Sequence, residues 1–227
     1  MKSDSQNYNM LKGYNMLFYF AGSMILHEPS EECIVDFWER GILKTLPVSS
    51  SNPNFIRAAA QLRESFIDKS TFGKLLHEDY LRLFVGPLPA LAPAFESLYS
   101  KEITDTTGYN SSSATEFYES YGWVSKFKAK ISDDHIGIQL LFLTLLIDKY
   151  MMLDDDACQD EMRKEIRRFI NHHILSWVPQ WNKKIQENAN TLSFKGIANL
   201  IQACAEDIVM LFVQKSETSV STDFLKN

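Results

Sequence analysis

Cysteine, glycine and proline are all scarce, and each shortage removes a class of protein. The three cysteines among 227 residues, Cys33, Cys158 and Cys204, are widely spaced and form no CxxC or Cys/His ligand pattern. That excludes a disulfide framework and a zinc site of ordinary spacing. The nine glycines are scattered singly, and no GxGxxG, GxxxxGK[ST] or GxSxG motif occurs among them. HExxH is absent as well. Basic residues are outnumbered by acidic ones, 23 to 29, for a net charge of −6 and a pI near 5.4, the wrong sign for a nucleic-acid backbone binder. Long apolar runs are also missing. The longest, Ile136–Ile147, is 12 residues and is broken by Gly137, Gln139 and Thr144, whereas a bilayer takes about 20. The opening MKSDSQNYNM has no apolar region of a secretory signal. These features lead us to expect a reduced, cytoplasmic protein with no stable membrane insertion.

What is present suits helices. Hydrophobic residues make up 45% of the chain and charged residues 23%, ordinary values for a globular protein. A chain of this length forms one large domain or two small ones without a covalent staple. Helical periodicity recurs almost throughout. Leu11, Asn15, Phe18 and Gly22 mark a first stripe. Ser30 opens a second helix through Ile34, Phe37 and Trp38, which Gly41 is placed to end. Beyond the loop Ser49–Pro53, the stripe Phe55, Ala59, Leu62 and Phe66 follows, then Leu75, Leu76, Tyr80, Leu83 and Phe84 up to Gly86-Pro87. Ser113-x-x-Glu116 is a capping box for a helix expected to reach about Lys130. Asp133-Asp134 is placed to cap the next helix, to about Leu153. A long stripe from Cys158 through His173 to Trp177 should end at Pro179. A last helix carries Ile197 to Phe212. The pattern predicts an all-α fold, one domain over residues 1–215 and a flexible polar tail over 216–227.

From Pro87 to Ser113 neither periodicity holds. Unstructured connections longer than about 12–15 residues are uncommon in compact domains, and this one, some 27 residues long, carries Phe95, Leu98 and Tyr99. Elsewhere, chemistry is hard to find. Asp154-Asp155-Asp156 reads as a solvated helix cap rather than a metal loop. His172 and His173 point about 100° apart on a helix, and His173 on the apolar stripe reads as a core histidine. Asp134-His135 admits two local readings: a cap beside an uninvolved histidine, or an accessible pair at a helix mouth.

Three segments resemble the TorD/DmsD family of molybdoenzyme-maturation chaperones. The run Tyr80-Leu81-Arg82-Leu83-Phe84-Val85-Gly86-Pro87, followed by a loop with Pro89, Pro93 and Phe95-Glu96-Ser97-Leu98-Tyr99, is similar to the family's LFxGP…PxPPxxSV[YW] signature. Asp134-His135 resembles its DH motif. His173-Ile174-Leu175-Ser176-Trp177 resembles its later H-x-L-x-W region. Three positions depart from the pattern: Ala94 stands where a second proline is usual, Ser132 where a proline often precedes DH, and Gln139 where part of the family has an acid.

The resemblance implies an all-helical binding protein, not an enzyme and with no cofactor of its own. Its partners would be the twin-arginine signal peptide and the apo form of a molybdoenzyme. Such a peptide offers paired guanidiniums and then an apolar stretch, so its receptor needs acceptors and a groove. Glu96 and Asp134 are the candidate acceptors, with Ser97 and His135 beside them. Leu83, Phe84, Phe95, Leu98 and Tyr99 are candidate groove residues, and Tyr80 and Tyr99 could stack on guanidiniums. Gly86, Pro87 and Pro93 would shape the loop. The competing reading of the aromatics is that they pin the loop to the core. At the level of function the alternatives are a guanine-nucleotide-binding or molybdenum-cofactor-delivering assembly factor, which the missing phosphate loop argues against, and a scaffold for another partner. Monomer and homodimer both remain open.

Overall fold

The structure is a computed structural model that describes residues 2–65, 69–86, 89–99 and 113–223, with side chains over 7–65, 71–86, 89–99 and 113–213. Phe66 and Pro87 lie outside the described residues. Helices α1 (Lys2–Leu26), α2 (Glu31–Ile34), α3 (Pro53–Glu64), α4 (Lys69–Tyr80), α5 (Ala114–Ser120), α6 (Ile136–Met151), α7 (Asp156–Phe169), α8 (Val178–Asn188) and α9 (Leu192–Asp223) form an all-α fold. Among the described residues there is no strand, only one isolated bridge, between Phe95 and His135.

Helix α6 is the centre. Eleven of its 16 residues are buried, which is why its sequence is apolar nearly all round. Helix α1 lies across it at a point where both chains are bare. A Cβ on Gly137 would meet the Leu26 Cβ at 2.8 Å and the Gly22 carbonyl oxygen at 3.0 Å. Helix α9 packs on α3, α1 and α8. Its stretch Leu192–Val213 is long and apolar enough to cross a membrane by length and composition, yet 61% of its most apolar window is buried inside the protein. An aromatic cluster of Phe117, Tyr118, Phe142 and Phe169, flanked by the partly buried Trp123, joins α5, α6 and α7; each buried ring contributes about 2–3 kcal/mol of transfer free energy.

Two polar networks cross the core. Gln61, Gln186, Asn182 and Asn199 form a ring of four amides, each donating to the next at 2.8–3.1 Å. Asp79, 1% exposed, accepts from the Asn190 and Thr191 amides and from Arg82, fastening α4 to the α8–α9 turn.

Most expected helix starts hold. Ser30, Ser113 and Asp155 accept from the amides of Cys33, Glu116 and Cys158, and Asn52, which the sequence reads as loop, also caps a helix by accepting from the Asn54 amide. Four expected boundaries do not. Helix α5 stops at Ser120 rather than near Lys130, because Gly122 takes a left-handed φ of 63° and its turn closes with the Gly122 amide on Glu119 and the Trp123 amide on Tyr118. Pro179 opens α8 rather than closing the previous helix, which already ends in a π-helical turn, Ile170–Ile174. Helix α9 continues to Asp223, through positions 216–223 that composition assigns to a tail; no glycine or proline stands there to stop it. The fourth, the cap of α6, belongs to the site.

Candidate functional site

The site begins where α4 changes pitch. After Tyr80 the helix widens into a π-helical turn, Leu81–Val85, of the kind that often marks functional positions. Gly86 then takes φ 111° and ψ 164°, a conformation open essentially to glycine alone. The chain doubles back, so that the Leu91 and Ala92 amides donate to the Arg82 and Leu83 carbonyls at 3.2 and 2.9 Å. From α8, the buried Trp181 indole N–H donates to the Ala92 carbonyl at 3.2 Å.

The second half of the loop is tied to the start of α6. The Ile136 amide donates to Ala94 at 2.9 Å, and the Glu96 amide donates to the Asp134 carbonyl at 3.0 Å. The Asp134 carboxylate accepts from the Ser97 amide at 3.0 Å. Asp134 is therefore a clasp for the loop and not the cap of α6 that its position suggests. Burial pushes its carboxyl pKa up, but hydrogen bonds from Ser132 and Ser97 outweigh that and hold it below the usual value. The cap is His135, whose Nδ1 accepts from the Gly137 amide at 3.0 Å. This fixes the proton of the neutral ring on Nε2. His135 is 6% exposed, so it is not the accessible histidine of the alternative reading. Burial lowers its pKa to about 4, Asp134 opposing and His27 adding to the shift. Phe95 covers it edge-on at 5.0 Å.

One further link runs into the core. His173 Nδ1, in the π-helical turn after α7, lies 3.3 Å from both carboxylate oxygens of Glu96. Gln139 donates to the same carboxylate at 2.5 Å. An acid at position 139 would confront Glu96 as a like charge, so the departure at Gln139 suits this loop. His173 is 2% exposed and is the satisfied core histidine the periodicity indicates.

A family model described as nitrate reductase delta subunit matches residues 52–183, a span that covers more than half of the chain and holds all three motif segments. The chain belongs to the TorD/DmsD family. A similar relative is the chaperone protein TorD of Aliivibrio salmonicida (strain LFI1238), 22% identical over 177 residues that cover 75% of this chain and 81% of that one. The family consists of chaperones in molybdoenzyme maturation, not of catalysts.

In this TorD-family chain the expected binding residues separate into two groups. Tyr80, Leu83 and Tyr99 are buried, at 9%, 0% and 3% exposure. Tyr80 donates to the Ile25 carbonyl. Tyr99 donates to Pro93 at 3.0 Å, stacks on Trp177 at 5.4 Å and carries Lys184 over its ring at 4.9 Å. Neither ring is open to a guanidinium, because each is already enclosed by the core. Phe84 is wedged among Tyr80, Phe194 and Trp181. These aromatics pin the loop. The outward group is Ser97, Leu98 at 55% exposure and the half-buried Phe95 and Asp134, whereas the Glu96 carboxylate is turned onto Gln139 and His173. Sequence reading missed Val85 and Leu91, which are 56% and 41% exposed and extend the apolar surface. It also missed Trp177 and Trp181 as anchors, although the H-x-L-x-W resemblance pointed at their segment.

Proposed function

We propose that this chain is a cytoplasmic chaperone that binds the twin-arginine signal peptide of a molybdenum-cofactor-containing oxidoreductase and holds the client back until it is folded and loaded. The observation that carries this is the clasped loop. Residues 89–99 are held by backbone hydrogen bonds to the π-helical turn and to the start of α6, so Phe95, Ser97 and Leu98 are presented on a rigid base. A preorganised apolar surface with the Asp134 carboxylate beside it loses little ordering entropy on binding an extended or helical peptide.

The test is calorimetric titration with a synthetic twin-arginine signal peptide and a control peptide carrying Lys-Lys in place of Arg-Arg. The control keeps the charge and removes the planar fork. Binding at least tenfold tighter to the arginine peptide is the expected result. Equal affinity for both peptides, or none for either, would sink the proposal.

A further inference from the structure

Helix α6 leaves one narrow stripe uncovered by the core. Of its 16 residues, five are not buried: Leu141, Leu145, Asp148, Lys149 and Met151. Leu141, Leu145 and Asp148 fall on one face at i, i+4 and i+7, and all three line a cavity of about 310 Å³. The segment after α5 forms its wall through Trp123, Val124 and Phe127, and Val124 is 65% exposed. Helix α1 runs antiparallel to α6 and borders the cavity at both ends. At one end Asn15 donates to Asp148 at 2.7 Å; at the other His27, just beyond α1, meets the Phe127 ring edge-on at 5.1 Å.

The rim of this groove is basic in an acidic protein. Residues 123–131, WVSKFKAKI, carry three lysines and no acid, in a chain of net charge −6. Lys126 lines the cavity and holds its ammonium 5.1 Å from the centre of the Phe127 ring. Lys128 and Lys130 are exposed. Lys128 comes no nearer to Asp133 than 3.9 Å, and Lys130 has no ion-pair partner among the described residues. The acids nearby are engaged elsewhere: Asp148 with Asn15, and Asp133, whose side chain is 12% exposed, with Thr115.

We propose that this groove docks an acidic amphipathic helix of a partner protein: two apolar side chains one turn apart enter over Leu141 and Leu145, and carboxylates beside them meet Lys126, Lys128 and Lys130. The inference does not depend on the signal-peptide reading, which uses loop 89–99 at the start of α6. Charge chooses the partner, since a lysine rim draws carboxylates and repels a cationic peptide. Shape chooses the form. A concave site floored by leucines at i and i+4 takes the spaced anchors of a helix laid in a groove, whereas a bilayer surface is met by apolar groups that project into it.

The test titrates the full chain with a synthetic helical peptide carrying leucines at i and i+4 with glutamates on either side, and with a control in which lysine replaces each glutamate. Nuclear magnetic resonance should show the Trp123 indole N–H shifting with the acidic peptide, while the indoles of Trp177 and Trp181, bonded to the His173 and Ala92 carbonyls, stay in place. Calorimetry should give at least tenfold tighter binding of the acidic peptide than of the control, with the gap narrowing in high salt. Lys126→Glu/Lys130→Glu should weaken the acidic peptide tenfold or more. Circular dichroism checks folding; Lys130→Glu alone replaces the pair if that variant does not fold, and should lose part of the preference. An unmoved Trp123 signal, equal binding of both peptides, or wild-type affinity in the lysine variants would overturn the proposal. So would a Trp123 response to phosphatidylglycerol vesicles but not to the peptide, to raised protein concentration alone, or to a twin-arginine peptide in preference to the acidic one; these would assign the groove to a membrane, a second copy or the signal peptide.

Discussion

Glu96 and His173, 77 residues apart in the chain, face each other at 3.3 Å, and this contact joins the exposed loop to the helical core. Their side chains are 15% and 3% exposed, so the pair is shielded far better than a surface salt bridge. Replacing His173 by Phe would remove the imidazole from the Glu96 carboxylate, which Gln139 also contacts. We expect a loss of about 2–3 kcal/mol, typical of a buried charged group deprived of its hydrogen-bond partner, read as a lowered urea midpoint. An unchanged midpoint would show that the pair carries no stability.

His135 makes stability depend on pH. Its pKa is lowered from 6.5 to about 4 in the folded protein, chiefly by burial. Between those values the unfolded chain binds a proton that the folded chain does not. Its contribution is therefore complete above pH 6.5 and is lost as pH falls towards 4, by at most about 3 kcal/mol. His135→Asn keeps a capping acceptor without a titrating ring, and should narrow the difference in denaturation midpoint between pH 5 and pH 7.5. His135→Ala loses the cap as well, costing about 1 kcal/mol at either pH. A variant with Asn that keeps the full wild-type difference would assign the pH dependence to other groups.

Asp134 clasps rather than caps. Asp134→Ala should leave far-ultraviolet helix content unchanged while the Ser97 amide, which donates to this carboxylate, exchanges with solvent markedly faster. Asp134→Asn retains an acceptor and should give an intermediate rate. Loss of helix signal on either substitution would return Asp134 to the role of a helix cap.

Two turn glycines should respond differently to alanine. Gly86 sits at φ 111° and ψ 164°, where a side chain costs of order 1–3 kcal/mol. Gly122, at φ 63° with nothing within 4 Å of an added Cβ, should lose about 1–2 kcal/mol as alanine and less as asparagine, which tolerates the left-handed region. Thermal denaturation of Gly86→Ala, Gly122→Ala and Gly122→Asn ranks them. Gly122→Asn falling below Gly122→Ala would contradict the argument.

The helical class, most helix starts and the place where regular structure gives way are legible in the amino-acid pattern. Those are local properties: a 3.6-residue apolar period, a Ser or Asp three residues before an amide, and a proline-bearing stretch with no period. The contacts that each residue of the motif segments makes follow from the packing. Asp134 and His135 exchange the roles their order suggests, because the bridge to Phe95 brings the Ser97 amide onto Asp134 and turns the His135 ring down onto Gly137. Tyr80 and Tyr99 become core residues because distant parts of the chain close over them: the Ile25 carbonyl accepts from the Tyr80 hydroxyl, and the Trp177 ring stacks on Tyr99. Burial, charge and hydrogen bonding at a given residue depend on what the fold sets next to it, and that neighbour is usually far away along the chain.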